Sequence, residues 1–147
     1  MNQENQFCTF FLDGLFFGVE VQRVQEVIRY QEMTRVPLAS SEVRGLINLR
    51  GEIVTAIDLR RRLELSERPG DQLPMNVVVR TDDSAVSLLV DEIGDVLEVE
   101  EGAFEPPPET LQGAAREFIL GAYKIEGRLL LVLDIEKVVN LTATAVA

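Results

Sequence analysis

The sequence predicts a mainly β protein: two pseudo-duplicated, small antiparallel barrels of five strands each, with short helices. Three observations carry that prediction. The first is residues 44–60, where two apolar runs, 46–49 and 53–57, flank Arg50-Gly51. A glycine that accepts positive φ between two β-rich runs marks a tight hairpin turn. Asp58 breaks the β pattern and can cap a short helix carrying Leu59 and Leu63. The second is that this strand–turn–strand–helix unit recurs without a gap. Shifted by 76 positions, Gly45 falls on Gly121, Gly51 on Gly127, Asp58 on Asp134 and Leu65 on Leu141. Identity at the strand entry, the turn and the cap in one register marks an internal duplication. The third is a match at an offset of 69, which sets Cys8 on Val77, Val24 on Ile93 and Val27 on Val96.

The elements follow in order. Residues 7–12 and 15–20 are rich in aromatic and β-branched side chains and are joined by Asp13-Gly14, a strong hairpin signal. Five of the seven phenylalanines lie here, so this hairpin is expected to supply core. Cys8 reads as a small buried residue of that core. Val21, Val24, Val27 and Ile28, spaced three, three and one, predict a short helix. Its apolar stripe either packs on the barrel or leaves Val24 or Val27 at a partner surface. Val36-Pro37 holds the connector 31–41 out of the helical region. After the central unit, 64–74 reads as a polar connector. Residues 76–80 and 85–91 then repeat the first strand pair. The change of offset from 69 to 76 places seven extra residues in 99–118, where Pro106-Pro107-Pro108 and two glycines give a loop composition. The apolar run 129–133 predicts a strand buried on both faces, where the halves meet or a helix covers it. Sheets this small are stabilised by curling into barrels, which removes exposed edges. The expectation is one domain over 1–147, with a first barrel at about 7–65, a second at about 75–141, and room for strand or helix exchange between them.

The chain is long enough to bury roughly two-thirds of its unfolded surface without a metal or disulfide. It has no apolar run of the roughly 18 residues that cross a bilayer. Its first residues lack the basic-then-apolar form of a signal peptide. One cysteine excludes an intramolecular disulfide, and together these features point to the cytoplasm. The net charge of −11 argues against nucleic acid or an anionic membrane as a general partner. The charge is uneven: residues 44–62 hold five arginines against Glu52 and Asp58, a local +3. Arg60–62 read either as a solvated helix face or as a docking surface.

The chain has no histidine, which excludes Ser-His-Asp, Cys-His and His-containing zinc sites. There is no phosphate-binding glycine loop. None of the 25 acids lies in an apolar context that would raise its pKa for glycoside chemistry. The expectation is no enzyme and no cofactor, but a module that works through its surfaces.

Residues 43–60, Val-Arg-Gly-Leu-Ile-Asn-Leu-Arg-Gly-Glu-Ile-Val-Thr-Ala-Ile-Asp-Leu-Arg, resemble the signature of the CheW family, adaptors of bacterial chemotaxis arrays. So do 24–28, Val-Gln-Glu-Val-Ile, 89–97, Leu-Val-Asp-Glu-Ile-Gly-Asp-Val-Leu, and 135–139, Ile-Glu-Lys-Val-Val. One departure is Thr55-Ala56, where the family more often has proline and a β-branched residue. The resemblance covers about residues 6–141. It implies two five-stranded SH3-like barrels with an apolar groove between them. It also implies an adaptor that holds the histidine kinase CheA, through its regulatory barrel domain, to the hairpin tips of methyl-accepting chemoreceptors. Such a protein would sit on membrane receptor arrays through its partners, without inserting in the bilayer. A CheW-like adaptor of a pilus-motility or other kinase array is the alternative, and a nucleic-acid-binding small barrel is disfavoured by the charge. Carried over by position, the resemblance implies a receptor groove of Val21, Val24 and Val27 with Ile93 and Val96, core packing being the competing reading for each. Gly45 and Arg50 fall in the motif used around the kinase and receptor surfaces. Glu26 and Arg50, both motif residues, are expected to form an ion pair. Their counterparts, Asp95 and Glu126, are two acids and cannot.

Overall fold

Asp13 and Gly14 both take positive φ, 51° and 79°, the conformation a two-residue hairpin loop needs. They turn β1 (Gln6–Leu12) back onto β2 (Leu15–Glu20) in the computed structural model of the chain, which describes residues 5–82, 84–100, 102–111 and 113–141. A single 3₁₀ turn, Val21–Arg23, leads into β3 (Val24–Ile28). The helix expected over 21–28 is therefore mostly strand. The reason is a β-bulge between Val24 and Glu26: Val24 lies opposite Val79 and Val27 opposite Val77. The extra residue brings two valines three apart onto one face, a spacing that imitates a helix.

The central unit folds as read. β4 (Val43–Leu49) and β5 (Glu52–Asp58) are joined by Arg50 and Gly51 at φ 52° and 91°. Asn48 Oδ1 accepts the Gly51 N–H at 2.9 Å, fixing the turn. The Asp58 carboxylate accepts the Arg61 N–H and starts α1 (Leu59–Arg62). The second half supplies β6 (Met75–Arg80), β7 (Ala85–Val90) and β8 (Glu92–Glu98). A helical turn that the loop composition of 99–118 did not announce follows, α2 (Ala114–Glu117). Then come β9 (Ile119–Ile125), β10 (Arg128–Leu133) and α3 (Ile135–Val139). The duplication reaches atomic detail. Glu126 and Gly127 repeat the turn at φ 44° and 84°, and Asp134 accepts the Lys137 N–H as Asp58 accepts that of Arg61. Gly121 lies opposite Val132 as Gly45 lies opposite Ala56, each beside a bulge.

The sheets run β8-β1-β2-β10-β9 and β3-β6-β7-β5-β4. Each half thus gives its first hairpin to one sheet and its last three strands to the other. The division at about 7–65 and 75–141 separates the repeats, not the sheets. The antiparallel pattern is broken at one seam in each sheet, where strands of opposite halves meet in parallel: β10 on β2, and β5 on β7. Each sheet also closes on itself. Thr34, downstream of β3, exchanges two 2.8 Å backbone hydrogen bonds with Leu46 of β4, and Glu105, downstream of β8, does the same with Ala122 of β9.

The cores follow strand alternation. Phe10, Phe17, Leu131 and Leu133 from one sheet meet Val77, Val79, Leu88 and Val90 from the other in a central core. Phe10 and Phe17 stack there at 5.7 Å. The intervening Phe16, Leu130 and Val132 fill the first barrel, and Val54, Val78 and Ala85 the second. β10 is accordingly buried on both faces, as the run 129–133 predicts. Cys8, expected inside, is only partly buried opposite Val96.

Arg60 and Arg62 overturn the reading of the run as a solvated helix face, while Arg61 between them is exposed. Arg60 and Arg62 are each 7% exposed. Arg62 donates to the carbonyls of Val138 (2.9 Å), Lys137 (2.8 Å) and Asn140 (3.1 Å), capping the C-terminus of α3, and lies over the Phe118 ring. Arg60 is held by the Asp91 carboxylate. A helix this short at the junction of two barrels has little free surface, and its cations stay because each finds carbonyls or a carboxylate.

Candidate partner surface

β3 and β4 are the two ends of one sheet, and the barrel's curl brings their surroundings together. Arg50, on the β4–β5 turn, donates from Nη1 to Glu26 Oε2 and from Nη2 to Glu26 Oε1, both at 2.7 Å. The fork is bidentate, the arrangement a guanidinium suits best. The Arg50 hydrogen bonds hold the Glu26 carboxyl below the usual glutamate range, and Glu26 in turn raises the Arg50 guanidinium. The Arg50 side chain remains 77% exposed while that of Glu26 is 17% exposed. The acid is a brace and the cation faces outward.

The counterparts in the other barrel behave differently. Asp95 and Glu126 both line a cavity of about 310 Å³, together with Glu98, over Phe11, Phe16, Leu97 and Ile125. Arg128 pairs with none of these acids; it lies over Phe16 at 4.7 Å and Phe11 at 5.6 Å. The duplication preserves the backbone here and changes the charge.

The apolar positions divide by depth. Val24 lies opposite Val79 and Ile93 opposite Phe10, and both pack partly buried against the central core. Val27 and Val96, next along the same faces, are 38% and 58% exposed. Val21, in the 3₁₀ turn, is partly buried. The four strand positions thus extend the inter-barrel faces out to the edge strands β3 and β8. Gly45 is buried, and a Cβ built on it would stand 2.7 Å from the Thr34 carbonyl oxygen. Its role is to admit the strand that closes the barrel. Sequence reasoning passed over the connector 31–41, where Leu38 is fully exposed at φ 66°. Val36-Pro37 was its only signal, and that speaks of backbone, not surface.

A strand-exchanged pair of barrels with its distinctive chemistry on the outside defines a duplicated β module. The comparisons narrow it. The CheW-like domain family matches residues 6–143. "Chemotaxis protein CheW" of Treponema pallidum is 31% identical over 92% of this chain and 82% of its own length. That of Bacillus subtilis is 34% identical over 89% and 84%. The crystal structure of the scaffolding protein TtCheW from Thermoanaerobacter tengcongensis shares the fold, with a TM-score of 0.81, 24% identity, and coverage of 92% and 87%. The chain belongs to the CheW-like domain family. Among the described residues no helix is long and apolar enough to cross a membrane.

Proposed function

We propose that this chain is a non-enzymatic adaptor that couples a CheA-type histidine kinase to the cytoplasmic hairpin tips of chemoreceptors in a signalling array. The reading rests on family membership and on one geometric observation, the outward-facing Arg50 braced by Glu26. A braced guanidinium loses little conformational freedom when a partner carboxylate takes its remaining donors. We take Val27 on β3 and Val96 on β8, each the exposed end of an apolar face, as the positions against which a helical hairpin lies, a common mode of helix recognition. No cofactor enters this function, and the −11 charge disfavours nucleic acid as partner. The test is kinase coupling reconstituted with receptor tips, the kinase and Arg50→Ala or Arg50→Glu. Coupling falls in both while the melting temperature holds, because Arg50 is exposed. Full coupling from both variants overturns the reading.

A further inference from the structure

We infer that the connector between β3 and β4 is a second docking face, one that takes a carboxylate-bearing protein segment beside a small apolar recess. It shares no residue with the Glu26–Arg50 surface. A cavity of about 400 Å³ opens there, lined by Arg35, Arg44 and Arg61 around Val36, Pro37 and Leu38, and no carboxylate lines it. Glu32 and Glu42, the acids within the same connector, are not among its walls. Arg44 and Arg61 share one carboxylate, Asp58, at 3.6 and 3.8 Å, and Arg61 also reaches Glu67 at 3.1 Å. Arg35 forms no ion pair among the described residues and is exposed. Positive charge is therefore left over at the surface of a protein whose net charge is −11.

Leu38 stands fully in solvent, held at φ 66°, a region L side chains rarely adopt. The backbone beneath it is fixed by the Ala39 N–H on the Val36 carbonyl, the Val43 N–H on the Ser40 carbonyl, and Arg61 Nη1 on the Ser41 carbonyl. A strained backbone that presents a leucine to water is not explained by packing. Nor does the scaffold require a cation at position 44. At the equivalent position of the other half Arg44 is Leu120, and the same unit folds there, while Arg61 keeps its charge as Lys137.

Charge selects the occupant. A nucleic acid or an anionic bilayer presents charge far beyond this ledge, where the rest of the molecule repels it. A local group of carboxylates on a protein interacts with the ledge alone, since screening cuts off more distant charge beyond about 8 Å. Leu38 and Pro37 add an apolar contact that only a protein recess returns.

The test uses the full chain and a short fluorescein-labelled peptide of alternating Glu and Leu, with a Lys/Leu peptide and a DNA oligomer as controls. Fluorescence anisotropy shows binding of the acidic peptide at low salt, lost as salt rises, and no comparable binding of either control. Arg35→Glu weakens it about tenfold, and Arg44→Gln less. Leu38→Gly weakens it severalfold while the melting temperature holds or rises, because glycine accepts the positive φ. No binding of the acidic peptide, equal binding of DNA, or wild-type binding by Arg35→Glu or Leu38→Gly overturns the proposal. None of these outcomes depends on the kinase or the receptor, so the adaptor reading can fail separately.

Discussion

Replacing Asp91 tests how the two barrels are held in register. Asp91 lies where the chain leaves β7 in one barrel and enters β8 in the other. Its carboxylate accepts Arg60 Nε at 3.0 Å and Arg60 Nη2 at 2.5 Å, Arg68 Nε at 3.2 Å, and the Asp13 N–H of the β1–β2 turn at 2.8 Å. The side chains of Arg60, Arg68 and Asp91 are 8%, 5% and 9% exposed. Both Nη atoms of Arg68 are buried without a hydrogen bond, so the nearby carboxylate is what makes that cation tolerable. Removing one partner of a buried ion pair costs about 3–5 kcal/mol. Arg60 keeps the Ser66 and Glu67 carbonyls and Asp13 at 3.7 Å, which places Asp91→Asn at the lower end, about 3 kcal/mol. For a chain of this length that lowers the melting temperature by roughly 6–12 °C.

The pH dependence carries a sign. Burial pushes the Asp91 carboxyl up, but hydrogen bonds from Arg60 and the Asp13 N–H, and the charges of Arg60 and Arg68, outweigh it and leave the group below the ordinary aspartate range. A carboxyl depressed in the folded state contributes stability above its unfolded value of about 3.9, and that contribution is lost as pH falls through the folded value. Urea unfolding at stepped pH should give a constant gap between wild type and Asp91→Asn from neutrality to about pH 5, closing below about pH 4. A gap under about 1 kcal/mol at neutrality, or one that widens on acidification, refutes the reasoning.

Two further outcomes follow from packing. Gly45→Ala places a methyl 2.7 Å from the Thr34 carbonyl oxygen and 3.0 Å from Met33 Cβ, so it should cost about 1–3 kcal/mol and speed hydrogen exchange at the Thr34 and Leu46 amides; unchanged exchange there would count against this role. Val27→Ser should weaken receptor-tip binding about tenfold with little change in melting temperature, whereas Val24→Ala should lower both; a large thermal loss from Val27→Ser would show that it is core.

What could be read in advance was whatever rests on local chemistry. Asp13-Gly14 and Arg50-Gly51 specify their turns by φ alone, and Asp58 and Asp134 specify caps by one side-chain acceptor each. The Glu26–Arg50 pair was legible because the repeat supplied a contrast, two acids where the other half has an acid and a base. The bulge in β3 was not legible, since one inserted residue gives valines in a strand the spacing of a helix. The fate of Arg60 and Arg62 was hidden too. Their partners, Asp91 and the carbonyls of α3, lie 31 and 75–78 residues away, and only the exchange brings them near. The ledge at Leu38 rests on a positive φ and a full exposure that composition does not report.

The exchange also decides how a contact on one barrel is felt by the other. Two domains that merely touch across a modest interface are expected to move against each other. Here each barrel takes two strands from one half and three from the other, so parting them would strip β2 from β10 and β7 from β5 and expose the stacked Phe10 and Phe17. The cost is that of unfolding, not of hinge motion, and the pair behaves as one body. Val24, Glu26 and Val27 lie on one strand, with Arg50 clamped to the middle of the three. On the function proposed above, a partner carboxylate at Arg50 stands at an offset from Val24 and Val27 that β3 fixes. On that proposal specificity resides in the match of that offset on the partner, which neither the arginine nor the valines could enforce alone.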